Sequence, residues 1–157
     1  MIILGIDPGS TRAGFGVIKH ENKRTSFVDG GIITVKSKDK NQRLVDLEKS
    51  FEDILNKHHP DMVGIENIYF VKNQKTALEV AQSRGVLLLS TKRRFIPTYE
   101  FTPREIKMGL TGYGTADKKA ITKMVQIILK IGDLKQPDDV YDAIAIALVT
   151  LYSLKNK

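Results

Sequence analysis

The feature that most restricts this chain is a charge at the end of an apolar run. Residues 2–6 read Ile-Ile-Leu-Gly-Ile and deliver a carboxylate, Asp7. Pro8, Gly9 and Ser10 then signal a turn, and a second apolar run follows from Phe15 to Ile18. A short continuous apolar run bounded by turn residues reads as a strand buried on both faces. Such a strand tolerates a charge at its end only where something neutralises it, because an unpaired carboxylate is costly to remove from water. A metal ion would do so if the chain brings further carboxylates to the same place.

Residues 2–7, 14–20 and 26–35 are strand candidates, the second and third joined by a polar link at 21–24; short links predict an antiparallel meander. The period then changes. Leu44, Leu47, Phe51, Ile54 and Leu55 recur at helical spacing over residues 41–58, with Asn41 as the expected N-cap and Pro60 beyond the end. Residues 62–66 repeat the first design, an apolar run ending in an acid, Glu66. Residues 67–75 are polar and aromatic without a period. A helix is expected over 76–90, a strand over 95–101, and a short helix that starts at Thr102-Pro-Arg-Glu105, a capping box with Pro at the first helical position, and stops at Gly109. A Gly-rich loop at 111–115, a helix over 116–130 and a largely apolar helix over 138–153 complete the chain. The order β-β-β-α-β-α-β-α-α-α implies an α/β fold with a mixed sheet, three antiparallel strands followed by parallel additions through helical crossovers. At 157 residues, with no internal repeat or linker, the chain reads as one domain over 1–157.

The last helix opens Pro137-Asp138-Asp139-Val-Tyr-Asp142. Asp139 and Asp142 are three residues apart and share a face; Asp138 and Asp142, four apart, could share it too. The helix dipole alone can explain an acid in the first helical turn such as Asp138, though spacing leaves Asp138 open, whereas Asp142 lies a full turn inside. Asp7, Glu66, Asp139 and Asp142 thus form a set, two at strand ends and two on a helix face. Converged carboxylates repel unless they hold a hard divalent cation, and oxygen-only ligands suit magnesium or manganese. Two such ions about 3.5–4 Å apart activate water and stabilise an in-line phosphoryl displacement.

The charge balance points the same way. Lys plus Arg number 25 against 18 Asp plus Glu, a net charge of +7, so a polyanion such as nucleic acid is the expected partner class. Cysteine is absent, which excludes disulfides and thiolate metal sites. The apolar stretch 143–149 is too short to span a membrane, and the strand-like N-terminus lacks the basic region of a secretory signal, so a cytoplasmic location is expected.

The segments Ile6-Asp-Pro-Gly-Ser-Thr-Arg-Ala-Gly-Phe-Gly16, Ile65-Glu-Asn67 with Lys72-Asn73, Gln82-Ser-Arg-Gly85 and Asp139-Val-Tyr-Asp-Ala-Ile-Ala145 resemble the RuvC family of Holliday junction resolvases, within the RNase H-like superfamily, from residue 1 to about 150. The resemblance implies a five-stranded RNase H-like mixed sheet flanked by helices, and a homodimer. It implies magnesium-dependent endonuclease cutting of four-way DNA junctions by paired symmetric nicks during recombination and repair. Its metal-binding acids carry over to Asp7, Glu66, Asp139 and Asp142, with two Mg²⁺ per site and Mn²⁺ as a substitute, and it assigns Asp138 to the helix start.

The resemblance also implies an aromatic that stacks near the junction centre, Tyr69 with Phe70 adjacent, and lysines near the scissile phosphate, Lys107 and Lys118, the latter counted with the catalytic groups. Arg12, Lys72, Asn73, Lys75, Arg84, Arg104 and Lys119 are further expected DNA contacts. Small residues Ala77, Ala81 and Gly85 suit close helix packing, and the resemblance places the dimer contact on helix 76–90. Branch-migration motor proteins RuvA and RuvB are implied as partners by resemblance alone.

The Gly-rich loop at 111–115 does not have Walker spacing, so nucleotide binding through it is rejected. The run Lys92-Arg93-Arg94 lies in a connection with no chemical reason to meet DNA, and His20, His58 and His59 lack metal-ligand spacing. The Asp-x-Gly turn also occurs in actin-like ATPases, which need two lobes that 157 residues cannot supply. The competing readings are another RNase H-like nuclease, acting on ribosomal RNA precursors or transposon ends, and a non-catalytic junction-binding protein, which would not need all four acids.

Overall fold

A computed structural model of the chain describes residues 1–67 and 74–154, with the side chains of Gln74 and Lys75 outside that description. Strands β1 (Ile2–Asp7), β2 (Arg12–Glu21) and β3 (Arg24–Thr34) form the antiparallel meander. α1 (Lys40–His58), β4 (Met62–Glu66), α2 (Gln74–Arg93) and β5 (Thr98–Phe101) follow, and then α3 (Pro103–Thr111), α4 (Lys118–Leu129) and α5 (Asp138–Ser153). The sheet order is β3-β2-β1-β4-β5, with β4 and β5 added in parallel, so the expected order and the mixed sheet are both observed.

Strand periodicity divides the core in two. In β1, Leu4 and Ile6 join Leu47, Phe51 and Leu55 of α1 and Leu87 of α2 on one face. Ile3 joins α3, α4 and α5 on the other. In β4, Met62 goes with α5, whereas Val63 and Ile65 go with α1. Positions 3, 5 and 7 of β1, and 62, 64 and 66 of β4, therefore share the α5 face. Asp7 and Glu66 end neighbouring parallel strands on that same face, one step beyond the registered pair Ile6 and Ile65.

α5 lies unusually close to this face. A Cβ built on Gly5 would stand 2.0 Å from the Ala143 carbonyl oxygen, and one on Gly14, the register partner of Asp7, 2.2 Å from that of Asp139. No side chain fits there, so glycine lets the helix rest backbone on backbone. The helix is otherwise fit for burial on all sides: Ala143 to Leu148 are fully buried. Among the described residues no helix is long and apolar enough to cross a membrane.

Several expected boundaries move, among them those of α2, which runs Gln74–Arg93 rather than 76–90. The N-cap of α1 is Asp39, not Asn41: its carboxylate accepts the Asn41 N–H at 2.8 Å and the Gln42 N–H at 3.4 Å, which puts Asn41 inside the first turn. The capping box on α3 forms, with Thr102 N–H donating to Glu105 at 2.7 Å and Glu105 N–H to Thr102 Oγ1 at 3.2 Å. That helix runs past Gly109 and ends at Gly112, whose φ of 79° is the left-handed conformation that closes helices. β5 starts at Thr98 because Phe95 takes a left-handed φ of 56° in the turn after α2, its N–H donating to the Lys92 carbonyl at 3.0 Å. α4 starts at Lys118 rather than 116, capped by Asp117, which accepts the Ala120 N–H at 2.8 Å.

Replacing Gly5 by Ala forces α5 away from the sheet. In urea titration we expect Gly5→Ala to lose about 3 kcal/mol or more of stability, at the upper end of overpacking costs. A loss within about 0.5 kcal/mol would show that α5 is not seated on this glycine.

Candidate active site

The four carboxylates expected to act together are gathered at one end of the sheet. β1 delivers Asp7 and β4 delivers Glu66, for the periodic reason given above. α5 crosses β1 and β2 with its N-terminus at this end, so Asp139 and Asp142, one turn apart, meet the strand ends. Asp7 and Glu66 share a hydrogen bond, and Asp142 and Asp139 both repel Asp7. Burial first, then the charges of Glu66, Asp142 and Asp139, push the Asp7 carboxyl from its ordinary 3.8 up to about 8. Glu66 and Asp142 are raised mainly by burial, Glu66 further by Asp142. A group whose ionisation is this unfavourable is held in place by the fold and is of the kind that marks functional sites.

Two cationic side chains reach the helix acids. Arg12, at the start of β2, pairs with Asp139 at 2.8 Å. Lys118, at the first position of α4, stands 3.5 Å from Asp142 and 3.9 Å from the exposed Asp138, and Asp142 holds its ammonium more firmly protonated than usual. The site opens on two sides. One cleft is lined by Glu66, Asp142, Lys107, Lys118, Pro103, Ile106 and Ile121; the other by residues 7–12 with Thr76, Val80 and Asp139. Among the described residues no three acidic side chains, as placed, cage an ion by themselves. The donor set is nonetheless all oxygen, crowded and short of positive charge, which fits a hard divalent cation.

A family model described as crossover junction endodeoxyribonuclease RuvC matches residues 3–150. This chain belongs to the RuvC family. A crossover junction endodeoxyribonuclease RuvC of Fusobacterium nucleatum is 40% identical over 158 residues, covering 100% of this chain and 83% of that protein. One from Ruminiclostridium cellulolyticum is 42% identical over 94% of this chain and 90% of its own length. Among solved structures, Thermus thermophilus RuvC in complex with a Holliday junction substrate superposes with a TM-score of 0.92 at 26% identity, over 99% of this chain and 96% of that one. The yeast mitochondrial Holliday junction resolvase Ydc2, at 14% identity and a TM-score of 0.70, shares the fold.

The expected DNA contacts divide. Lys107 and Lys118 line the acid-bearing cleft, and Arg12 stands at the mouth of the other. Arg104 lies on α3 against Gly114, and Lys119 is exposed on α4. Arg84 is engaged elsewhere: its guanidinium donates to the Glu66 carbonyl oxygen at 3.3 Å and pairs with Glu100, so it braces the Glu66 strand end against β5. Tyr69, Phe70, Lys72 and Asn73 lie outside the described residues, as does the side chain of Lys75. Two residues of the basic run at 92–94 are turned to α1, where Arg93 pairs with Glu48 and Arg94 with Glu52. His58 is likewise structural, paired with Asp29 at 2.9 Å. Arg84 carried no mark in sequence of its bracing role, because Glu100 becomes its neighbour only through the β4–β5 pairing.

The raised acids make the metal-free fold pH-sensitive. Folded, Asp7 keeps its proton up to about pH 8; unfolded, it releases it near its ordinary 3.8. Stability therefore falls as pH rises through that interval. Glu66 and Asp142 act with the same sign, and the lowered acids Asp29, Glu21 and Glu105 have their windows below pH 4.5. We expect the Tm of metal-free protein to fall between pH 5 and pH 8, and the fall to be blunted in Asp7→Asn. A Tm flat in pH, or equal slopes in the two proteins, would contradict this placement of Asp7.

Proposed function

We propose that this protein is a metal-dependent endonuclease that resolves four-way DNA junctions by paired symmetric nicks in recombination and repair. The observation that carries the reading is the convergence of Asp7, Glu66, Asp139 and Asp142 beside a lysine-lined cleft in a basic chain, within a family whose relatives are named for this activity. Asp7, Glu66, Asp139 and Asp142 would hold divalent ions, two magnesium per site with manganese able to substitute. When bound, the ions supply an activated water and charge stabilisation for both oxygens of the displacement. The chain's own groups do the rest. Burial keeps the carboxylates short of water, so they gain most when a cation arrives. Lys118, firmly protonated, offers positive charge to a phosphate beside Asp142, and Lys107 lines the same cleft. Arg12, 61% exposed on its side chain, can reach a backbone phosphate at the other mouth.

Paired incision needs two sites, and α2 supports a two-fold dimer. Leu78 (64% exposed), Ala81, Gly85 and Leu89 (49% exposed) follow one another at helical spacing on its outer face, and a Cβ on Gly85 would meet nothing within 4 Å. A second copy laid on this row would give one site per subunit and match the symmetry of a junction. RuvA and RuvB as branch-migration partners follow from the family resemblance alone, and a cytoplasmic location is proposed with them.

A supercoiled plasmid extruding a cruciform tests the reading. With Mg²⁺ we expect linear product from coordinated nicks, no product with chelator, and loss of at least about 10³-fold in Asp7→Asn with junction binding retained, as for removal of a group essential to the chemistry. Leu78→Glu should sediment as a monomer and leave nicked circles. Cutting of plain duplex as fast as the junction, or cutting by Asp7→Asn, would overturn the resolvase reading.

A further inference from the structure

The loop between α3 and α4 holds a side chain that neither the fold nor the acid site uses. Its backbone is fastened: the Tyr113 N–H donates to Thr111 Oγ1 at 3.1 Å, the Ala116 N–H donates to the Tyr113 carbonyl oxygen at 3.1 Å, and Gly112 closes α3 in the left-handed conformation. Gly114 lies so near the Arg104 side chain that a Cβ there would stand 2.9 Å from its Cγ. Yet the Tyr113 ring at the tip of this fixed loop is 73% exposed. A large aromatic held outward on an ordered loop gains nothing for the fold.

The helices on either side of it present more basic than acidic side chains. α3 and the start of α4 present Arg104, Lys107, Lys118 and Lys119. The acids of the same stretch, Glu105 and Asp117, are taken up in capping α3 and α4, and Asp138 of α5 is 3.9 Å from Lys118. Lys107 and Lys118 are also walls of the cleft that contains Glu66 and Asp142. The loop that carries the ring joins the two helices that supply the cleft's lysines. An aromatic face among phosphate-seeking cations is the arrangement that binds a nucleic-acid strand, cations on the backbone and the ring under a base.

We propose that Tyr113 is a stacking platform for a nucleobase of the DNA strand that enters the acid-bearing cleft, a contact separate from the aromatic pair Tyr69 and Phe70. This rests on the nuclease reading above. The test uses full-length protein with Ca²⁺ in place of Mg²⁺ and four-way junctions carrying 2-aminopurine at successive positions around the cut site. In the wild type we expect a change in 2-aminopurine fluorescence at one or two adjacent positions. Tyr113→Ala should abolish that change and weaken junction binding about 5- to 100-fold. Tyr113→Phe, which keeps the ring, should stay within about twofold, and both variants should melt with the wild type, since the ring is outside the core. Unchanged binding and fluorescence in Tyr113→Ala would overturn the proposal, as would equal losses in Phe and Ala variants, which would place the role in the hydroxyl. Failure of the wild type to bind or cut any junction would instead remove the nuclease reading, and this inference with it.

Discussion

The structure depends on one close contact, the seating of α5 on the sheet. Where most helices stand off a sheet by the thickness of two side chains, this one rests on glycine, with Gly5 beneath Ala143 and Gly14 beneath Asp139. The contact has two consequences. It buries a helix that is apolar on nearly every side, joining the β1, β2 and β4 face to α3 and α4 in one cluster. It also sets the height of Asp139 and Asp142 above the sheet. A helix held off by side chains would carry these acids away from Asp7 and Glu66, and the four would no longer share a site. Packing and chemistry are therefore one requirement at this end of the molecule.

That proximity has an electrostatic cost, and the surrounding charge answers it in part. Asp7, pushed up to about 8, is held where it least favours ionisation, with Glu66 sharing its proton. Arg12 and Lys118 offset the helix acids, one from each side. Asp7 shares a hydrogen bond with Glu66, and among the described residues no ion pair joins it to a cation. Strain of this kind is what a metal site stores before its ion arrives, because the free energy lost in gathering like charges is returned when a divalent cation is bound. The same basic residues line the clefts through which a phosphate backbone would pass, so in the proposed reaction one set of charges would serve both the acids and the substrate.

Most of this was legible from the chain because it rests on local patterns. Two apolar runs that end in an acid are strands by composition, which puts Asp7 and Glu66 at strand ends; that they share a face follows only from the parallel β1–β4 register. Asp142 stood out because neither a helix cap nor the helix dipole explains an acid a full turn inside. What was not legible depended on partners distant in sequence. Gly5 and Gly14 looked like ordinary strand glycines until α5 was laid over them. Arg84 reads in the sequence as a DNA contact, and only the β4–β5 pairing brings Glu100 to it. Asn41 and Gly109 are residues that often end helices, but Asp39 and Gly112 were better placed by one turn or less, and local propensity does not rank such neighbours. Tyr113 had no apolar period to flag it; only its exposure on a fastened loop made it visible.

On the proposed reading the four carboxylates are metal ligands brought together by α5. Anomalous diffraction from crystals soaked in Mn²⁺ tests it most directly. We expect a peak in coordination contact with Asp7 and with at least two of Glu66, Asp139 and Asp142, and no such peak in Asp7→Asn crystals. A well-ordered site without manganese, or manganese bound only elsewhere on the surface, would contradict it.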